Sequence, residues 1–259
     1  MRHTLLAGLL EVAERNMHFQ ERQALFEIGN VYLPDDKNLL PQEPTHLAIL
    51  LTGQRHARDW QSGSGDEHLD FYDLKGVLLA LLDGLRIEHE GVQIVPEEHS
   101  TFHPGRVAKL IVGGDDIGYF GDVHPLVRNA FELEIPLEVS VVAAELDLDR
   151  LLAYARPSHD VRPIPTQPAV YQDISLVIEK GVAAADVEKA IWQAGGNLLV
   201  GVSLFDIYTG EQIPAGKKSL AYSLTYQHAE ETLTDKKVAK VHGKIEKALA
   251  HKLNAALRQ

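Results

Sequence analysis

Between Leu204 and Ser219 the chain places a carboxylate, a phenol, two ammonium groups and a hydroxyl: Asp206, Tyr208, Lys217, Lys218 and Ser219. Tyr222 follows on the same stretch. This set suits recognition of an unpaired nucleic-acid base, because a tyrosine ring stacks on a base, a carboxylate accepts from a base amino group and lysine meets phosphate. An ordinary wet sheet face, with tyrosine half covering the core, would use the same residues without any ligand. Spacing alone leaves both readings open.

Other spacings fall short of chemistry. His99 and His103 stand four apart, but in a Pro/Gly-flanked extended stretch where that spacing does not put both rings on one helix face, so no zinc site is expected. Asp115 and Asp116 sit at a hairpin tip, where adjacent carboxylates make a solvated turn. Ala215–Ser219 (AGKKS) superficially matches a phosphate loop, yet its upstream glycine, Gly210, is one residue too far and a strand follows where a helix must begin. No nucleophile elbow, zincin or dinucleotide fingerprint stands in strand–turn–helix context. The absence of cysteine excludes disulfides, thiolate metal sites and a cysteine nucleophile.

The elements that must position these residues follow from periodicity. Ala169–Lys180 alternates, with Val170, Ile174, Leu176 and Ile178 on one face of a strand. Val187, Ala190, Ile191 and Ala194 then recur at helical spacing up to Gly195–Gly196. Asn197–Gly210 and Lys217–His228 alternate again as an antiparallel pair. Thr234 caps an amphipathic helix running to about Leu253, and AALRQ closes as a short strand. The order β-α-β-β-α-β specifies a ferredoxin-like sandwich, both helices on one face of a four-stranded antiparallel sheet and the other face open. Alternation puts Asp206 and Tyr208 on that open face and Phe205 and Ile207 on the core face.

The first half reads as α+β with a mostly antiparallel sheet. An opening helix (LLAGLLEVAERN) precedes strands Ala24–Pro34, with Phe26, Ile28 and Val31 as apolar contributors, and His46–Gly53. A polar loop (Trp60–His68), a leucine-rich helix at Leu69–Leu85, two strands joined by Gly113–Gly114, a helix opened by Pro125, and a closing strand and short helix complete it.

Charge divides where composition does. The net charge of −12 hides an asymmetry: Asp160–Gln259 carries 12 basic and 11 acidic residues, leaving 13 and 26 for Met1–His159. Ala155–Val170 holds four of the 12 prolines, which prevents helix and places an extended linker at about 156–167. Domains at 1–155 and 168–259 follow. At 259 residues and 45% hydrophobic the chain is long enough for two cores, and no stretch nears ~18 consecutive apolar residues. No membrane span or signal peptide is expected, and the location expected is cytoplasmic.

Several ordered segments resemble the β subunit of bacterial phenylalanine–tRNA ligase, over essentially the whole chain. In the first half these are Met1–Leu10 (MRHTLLAGLL), Leu25–Gly29 (LFEIG), Asp70–Gly76 (DFYDLKG), His103–Arg106 (HPGR) and Gly118–Pro125 (GYFGDVHP). In the second they are Leu204–Glu211 (LFDIYTGE), Gly216–Ala221 (GKKSLA) and Thr232–Asp235 (TLTD). The resemblance implies a class II synthetase-like antiparallel domain without catalytic residues, followed by a ferredoxin-fold anticodon-binding domain. It also implies a catalytic α subunit, in an α2β2 assembly, that forms phenylalanyl-adenylate from ATP with magnesium. This chain would then hold no metal or cofactor and bind neither DNA nor membrane. It would be a C-terminal fragment of the subunit, without editing activity. Met1–Tyr154 lacks the Gly-rich Glu-Arg segment with which class II sites clamp ATP phosphates. By motif position, Asp206, Tyr208 and Ser219 are implied to read the wobble guanine of tRNA(Phe), with Lys217 and Lys218 beside phosphate. Tyr171-Gln172 departs from the basic residue that relatives often carry there, which weakens one backbone contact. The alternatives are adenylation or another ligase activity within Met1–Tyr154, and a ferredoxin-like regulatory module binding a small metabolite.

Overall fold

The computed structural model describes residues 1–35, 37–56, 67–136, 138–158, 165–210, 212–229 and 231–258. These divide into two compact units, Met1–Asp160 and Val161–Gln259. The division falls inside the expected linker at 156–167, of which 159–164 lie outside the described residues, as does most of the Trp60–His68 loop.

The first unit is built on one six-stranded sheet. Its strands are β1 (Gln23–Asn30), β2 (Thr45–Thr52), β3 (Val92–Pro96), β4 (Phe102–Val112), β5 (Asp115–Val123) and β6 (Val141–Asp147), in spatial order β1-β2-β6-β5-β4-β3 with every neighbour antiparallel. Helix α1 (Leu6–Met17) buries Leu6, Leu9, Leu10 and Ala13 against one face, over Ala48, Leu50 and Ala143. Helix α2 (Phe71–Gly84) buries Leu74, Leu78 and Leu82 on the other, over Leu47, Ile49, Leu51, Phe120 and Leu146. Covering on both faces is why β2 reads as the unbroken apolar run LAILL instead of an alternation. Two short helices, α3 (Pro125–Ala130) and α4 (Leu148–Leu152), follow β5 and β6.

Local signals set the boundaries. Asp70 caps α2, accepting from the amides of Tyr72 (2.8 Å) and Asp73 (3.2 Å), while the Asp73 carboxylate accepts from the Asp70 amide (2.8 Å). Gly113 and Gly114, at φ +60° and +96°, supply the two left-handed positions of the tight β4–β5 turn. The strand β3, a five-residue run followed by Glu97 and Glu98, carries too little periodicity to be read from sequence. Of the apolar contributors to the expected first strand, Phe26 and Ile28 are 72% and 55% exposed, because β1 is an edge strand, while Val31 is fully buried. Gly53 sits at φ +88°, where an added Cβ would lie 2.6 Å from the Arg22 Cα. Gly53→Ala therefore combines a disfavoured conformation with a backbone collision and is expected to cost about 2 kcal/mol or more of stability. A melting temperature within a degree of wild type would refute this.

The second unit contains β7 (Val170–Glu179), α5 (Ala184–Gly195), β8 (Leu199–Tyr208), β9 (Lys217–Tyr226), α6 (Asp235–Leu253) and β10 (Ala256–Leu257). Its four strands lie in the order β10-β7-β9-β8, all antiparallel. This is the expected β-α-β-β-α-β sandwich. Val187 and Ile191 of α5 and Val238, Ile245 and Leu249 of α6 pack with Ile174, Leu176, Ile178, Leu220, Leu224, Tyr222 and Tyr226. Tyr222, expected near the open edge, is thus a core residue: its hydroxyl donates to the Ala184 carbonyl (3.3 Å), and burial pushes the phenol pKa up. Tyr226 is likewise buried, pushed up to about 12, with its hydroxyl 3.1 Å from His242 Nδ1. Thr234 caps α6 by accepting from the Lys237 amide (3.4 Å), and Asn254 ends the helix in the left-handed conformation at φ +50°. Among the described residues no helix is long and apolar enough to cross a membrane.

Candidate nucleic-acid interface

The helices cover one face of the four-stranded sheet, so residues of opposite parity line the other. On β7 these are Tyr171, Asp173, Ser175, Val177 and Glu179, and on β9 Lys217, Ser219, Ala221, Ser223 and Thr225. On β8 simple alternation fails. Leu204, on the core side, pairs with Tyr222, and the next pair is Asp206 with Ala221, so Phe205 is an extra residue in a β-bulge. Uninterrupted alternation from a core-facing Leu204 would send Asp206 and Tyr208 under the helices. The bulge returns them to the open face, where Tyr208 pairs with Ser219 and Ser219 with Val177.

The same geometry corrects Phe205, whereas Ile207 keeps the helix side by register and differs only in its exposure. Both were expected to face the core, and both are exposed, at 58% and 57%. Phe205 is the bulged residue, while Ile207 pairs with the fully buried Leu220 but stands on an edge strand with a neighbour on one side only. The two lysines also part company. Lys217 lies on the open face, 3.4 Å from the Glu179 carboxylate, whereas Lys218 pairs with Ile178 and so belongs to the helix side. Ser219 is on the open face but only 4% exposed. The sheet thus brings together Asp206, Tyr208, Ser219 and Lys217, and leaves Lys218 out.

Tertiary structure adds a residue that local pattern does not pick out. The short β10 pairs with β7, and the amide of Arg258 donates to the Ser175 carbonyl (2.9 Å), which continues the ladder by one residue. Arg258 then reaches across the open face, its guanidinium carbon 5.5 Å from the centre of the Tyr208 ring. Its Nη2 also donates to Gln212 Oε1 (2.9 Å). The end of the Tyr208 ring lies against Gly210, where an added Cβ would press on the phenol and shift it. A cation above a phenol, a carboxylate on the same strand and a hydroxyl below form a surface for a planar group carrying donors beside a phosphate. The signal in the sequence was the single arginine in AALRQ, which spacing cannot connect to Tyr208, 50 residues upstream.

In the six-stranded unit, polar residues are engaged with one another. The Thr101 amide donates to His99 Nδ1 (3.3 Å), and His99, its pKa lowered by burial, lies 4.6 Å from the Tyr119 ring centre. His103 meets the Pro104 carbonyl (2.6 Å), Tyr154 donates to Asp115 (2.6 Å) and Lys109 bridges Glu97 and Asp116 (3.0 and 3.3 Å). Among the described residues no group of three or more metal-ligating side chains gathers. Two guanidinium groups are held as well: Arg55 by Glu67, Asp70 and Asp73, and the buried Arg128 by the carbonyls of Ile135, Pro136 and Val139, while the exposed Arg106 lies 3.4 Å from Asp122. Arg55 and Arg128, committed in this way, are not free to clamp phosphates.

Comparison with known proteins divides the chain at the same place. Residues 1–148 match the family model described as the phenylalanyl tRNA synthetase beta chain CLM domain, and residues 165–258 match the ferredoxin-fold anticodon binding domain. The chain is 38% identical over 259 residues to a phenylalanine–tRNA ligase beta subunit of Bacillus licheniformis, and 41% identical over 263 to that of Geobacillus kaustophilus. Both alignments cover all of this chain and 31% of the relative, so the chain spans about a third of the length of these proteins. Two domain models in the right order, each falling on one compact unit, show that this chain belongs to the phenylalanyl-tRNA synthetase β-chain family.

Proposed function

We propose that this chain is the anticodon-reading and scaffolding part of a phenylalanine–tRNA ligase β subunit, acting in aminoacylation of tRNA(Phe). The carrying observation is the bulge at Phe205, which sets Asp206 and Tyr208 beside Ser219 on the helix-free sheet face, with Arg258 over the ring. Asp206 accepts from the Watson–Crick edge of the wobble guanine, Tyr208 stacks on the base, and Lys217 and Arg258 neutralise the adjoining phosphate. Lys218, on the helix side, takes no part in this surface.

The six-stranded unit serves as a scaffold for a catalytic α subunit, in an α2β2 assembly working in the cytoplasm. ATP and magnesium act on the α subunit, where phenylalanine is adenylated. The committed Arg55 and Arg128 support that division of labour. They also disfavour a ligase activity within Met1–Tyr154. The metabolite-binding alternative has no observation of its own in its favour.

The test is fluorescence anisotropy of the chain against the tRNA(Phe) anticodon stem-loop and the same loop with the wobble guanine replaced by adenine. Loss of one charge-assisted hydrogen bond predicts about tenfold weaker binding to the altered loop. Equal affinity for both loops would sink the assignment of the face.

A further inference from the structure

Helix α6 presents a second charged surface on the side of the unit away from the open sheet face. Its buried residues Val238, Ile245 and Leu249 define one side. Lys236, Lys240, Lys244 and Lys247, all exposed, fall on the opposite side, about half a turn round at 3.6 residues per turn. Rise per residue puts these four in a line about 16 Å long, with neighbours about 5–6 Å apart, and His251 continues it. The other two lysines of the helix are used internally, Lys237 with Glu231 (2.6 Å) and Lys252 with Gln193 (2.8 Å). The four ridge lysines have no ion pair among the described residues. The one carboxylate of α6 beyond its first turn, Glu246, lies on the flank, 3.7 Å from His242. A chain with net charge −12 therefore keeps an unneutralised row of cations along one helix.

We infer that the Lys236–Lys240–Lys244–Lys247 ridge is a docking surface for the phosphate backbone of double-stranded RNA, separate from the base-reading sheet face and independent of it. Single-file ammonium groups on flexible stems suit a regular row of phosphates without demanding sequence or fixed geometry. The residues beside the lysines argue against a bilayer. A membrane-surface helix flanks its cations with large apolar groups, whereas this ridge is bordered by Ala239, Gly243 and Ala250. Four phosphates neutralised by four lysines would release their counterions, so binding is weak at physiological salt and falls steeply as salt rises.

The experiment uses the whole chain and a 16-base-pair RNA duplex of arbitrary sequence with closed ends, so that no unpaired base is offered to the sheet. Affinity is expected to fall about 50- to 150-fold between 50 and 200 mM salt. The quadruple variant K236Q/K240Q/K244Q/K247Q should lose duplex binding and most of the salt slope while keeping wild-type helical circular dichroism. The corresponding quadruple arginine variant should bind as wild type does, which separates loss of charge from loss of fold. Tyr208→Ala should leave duplex binding unchanged, so failure of the sheet-face reading and failure of this one are distinguishable. Duplex binding that survives the glutamine variant, no duplex binding by wild type at 50 mM salt, or equally tight binding to polyglutamate or to phosphatidylglycerol vesicles would overturn the inference.

Discussion

Tyr208→Ala is expected to weaken binding of the tRNA(Phe) anticodon stem-loop by about 5- to 150-fold, corresponding to the ~1–3 kcal/mol that one base–aromatic stack contributes. The ring stands on the open face through the Phe205 bulge, and the Arg258 guanidinium lies 5.5 Å from its centre. Arg258→Ala should cost less, because Arg258 acts partly by holding the ring and partly as a phosphate neighbour. The double variant should cost less than the sum of the two, since both work on one ring. Titration of the two single variants and the double, at one salt concentration, decides it. Additive losses would place Arg258 outside the Tyr208 site, and an unchanged affinity for Tyr208→Ala would remove the sheet face from RNA recognition. Thermal stability of Tyr208→Ala should stay near wild type, because the ring covers no core.

Glu145→Ala is expected to destabilise the six-stranded unit by about 3 kcal/mol at neutral pH, since removing one partner from a buried polar cluster strands the others. The Glu145 carboxylate accepts from the Leu5 amide (2.9 Å) and the Thr4 hydroxyl, and lies 3.1 Å from His46 Nδ1. It thereby ties the start of α1 to β6 and β2. Burial alone would raise its pKa, but the hydrogen bonds from His46, Thr4 and Leu5 outweigh it and hold the carboxyl below the ordinary glutamate value of 4.5. The sign follows: a folded-state pKa below the unfolded one gives stability that is present above pH 4.5 and lost as pH falls through the folded value. The gap between wild type and Glu145→Ala should therefore narrow on acidification. Hydrogen–deuterium exchange of the β2 and β6 amides at pH 7 and near pH 3 measures it. A gap of equal size at both would assign the effect to packing and not to charge.

Much of this architecture was legible along the chain because it is written in local periodicity. Thr234 before an amphipathic run, Gly113–Gly114 between alternating segments, and Val187, Ala190 and Ile191 at helical spacing each report a residue's immediate neighbours, and the helices and hairpins stand where those signals put them. The order of those elements was enough for the ferredoxin-like sandwich.

The sequence by itself thus determined most of the elements, β3 excepted, their order, and the residue types carried by β8 and β9. Only the tertiary structure decided which side chains share a face. One extra residue at Phe205 reverses the parity of everything after it, and a bulge depends on the register of the partner strand, which no window on β8 contains. Lys217 and Lys218 are adjacent in sequence and on opposite faces in the sheet, and Tyr222 goes to the core because Tyr226 and Leu220 go with it. Arg258 meets Tyr208 because β10 adds to the far edge of the sheet, a pairing between segments distant in sequence. Hydrophobic spacing is a local property of the chain, whereas strand register and cross-sheet reach are set by closing the whole core at once.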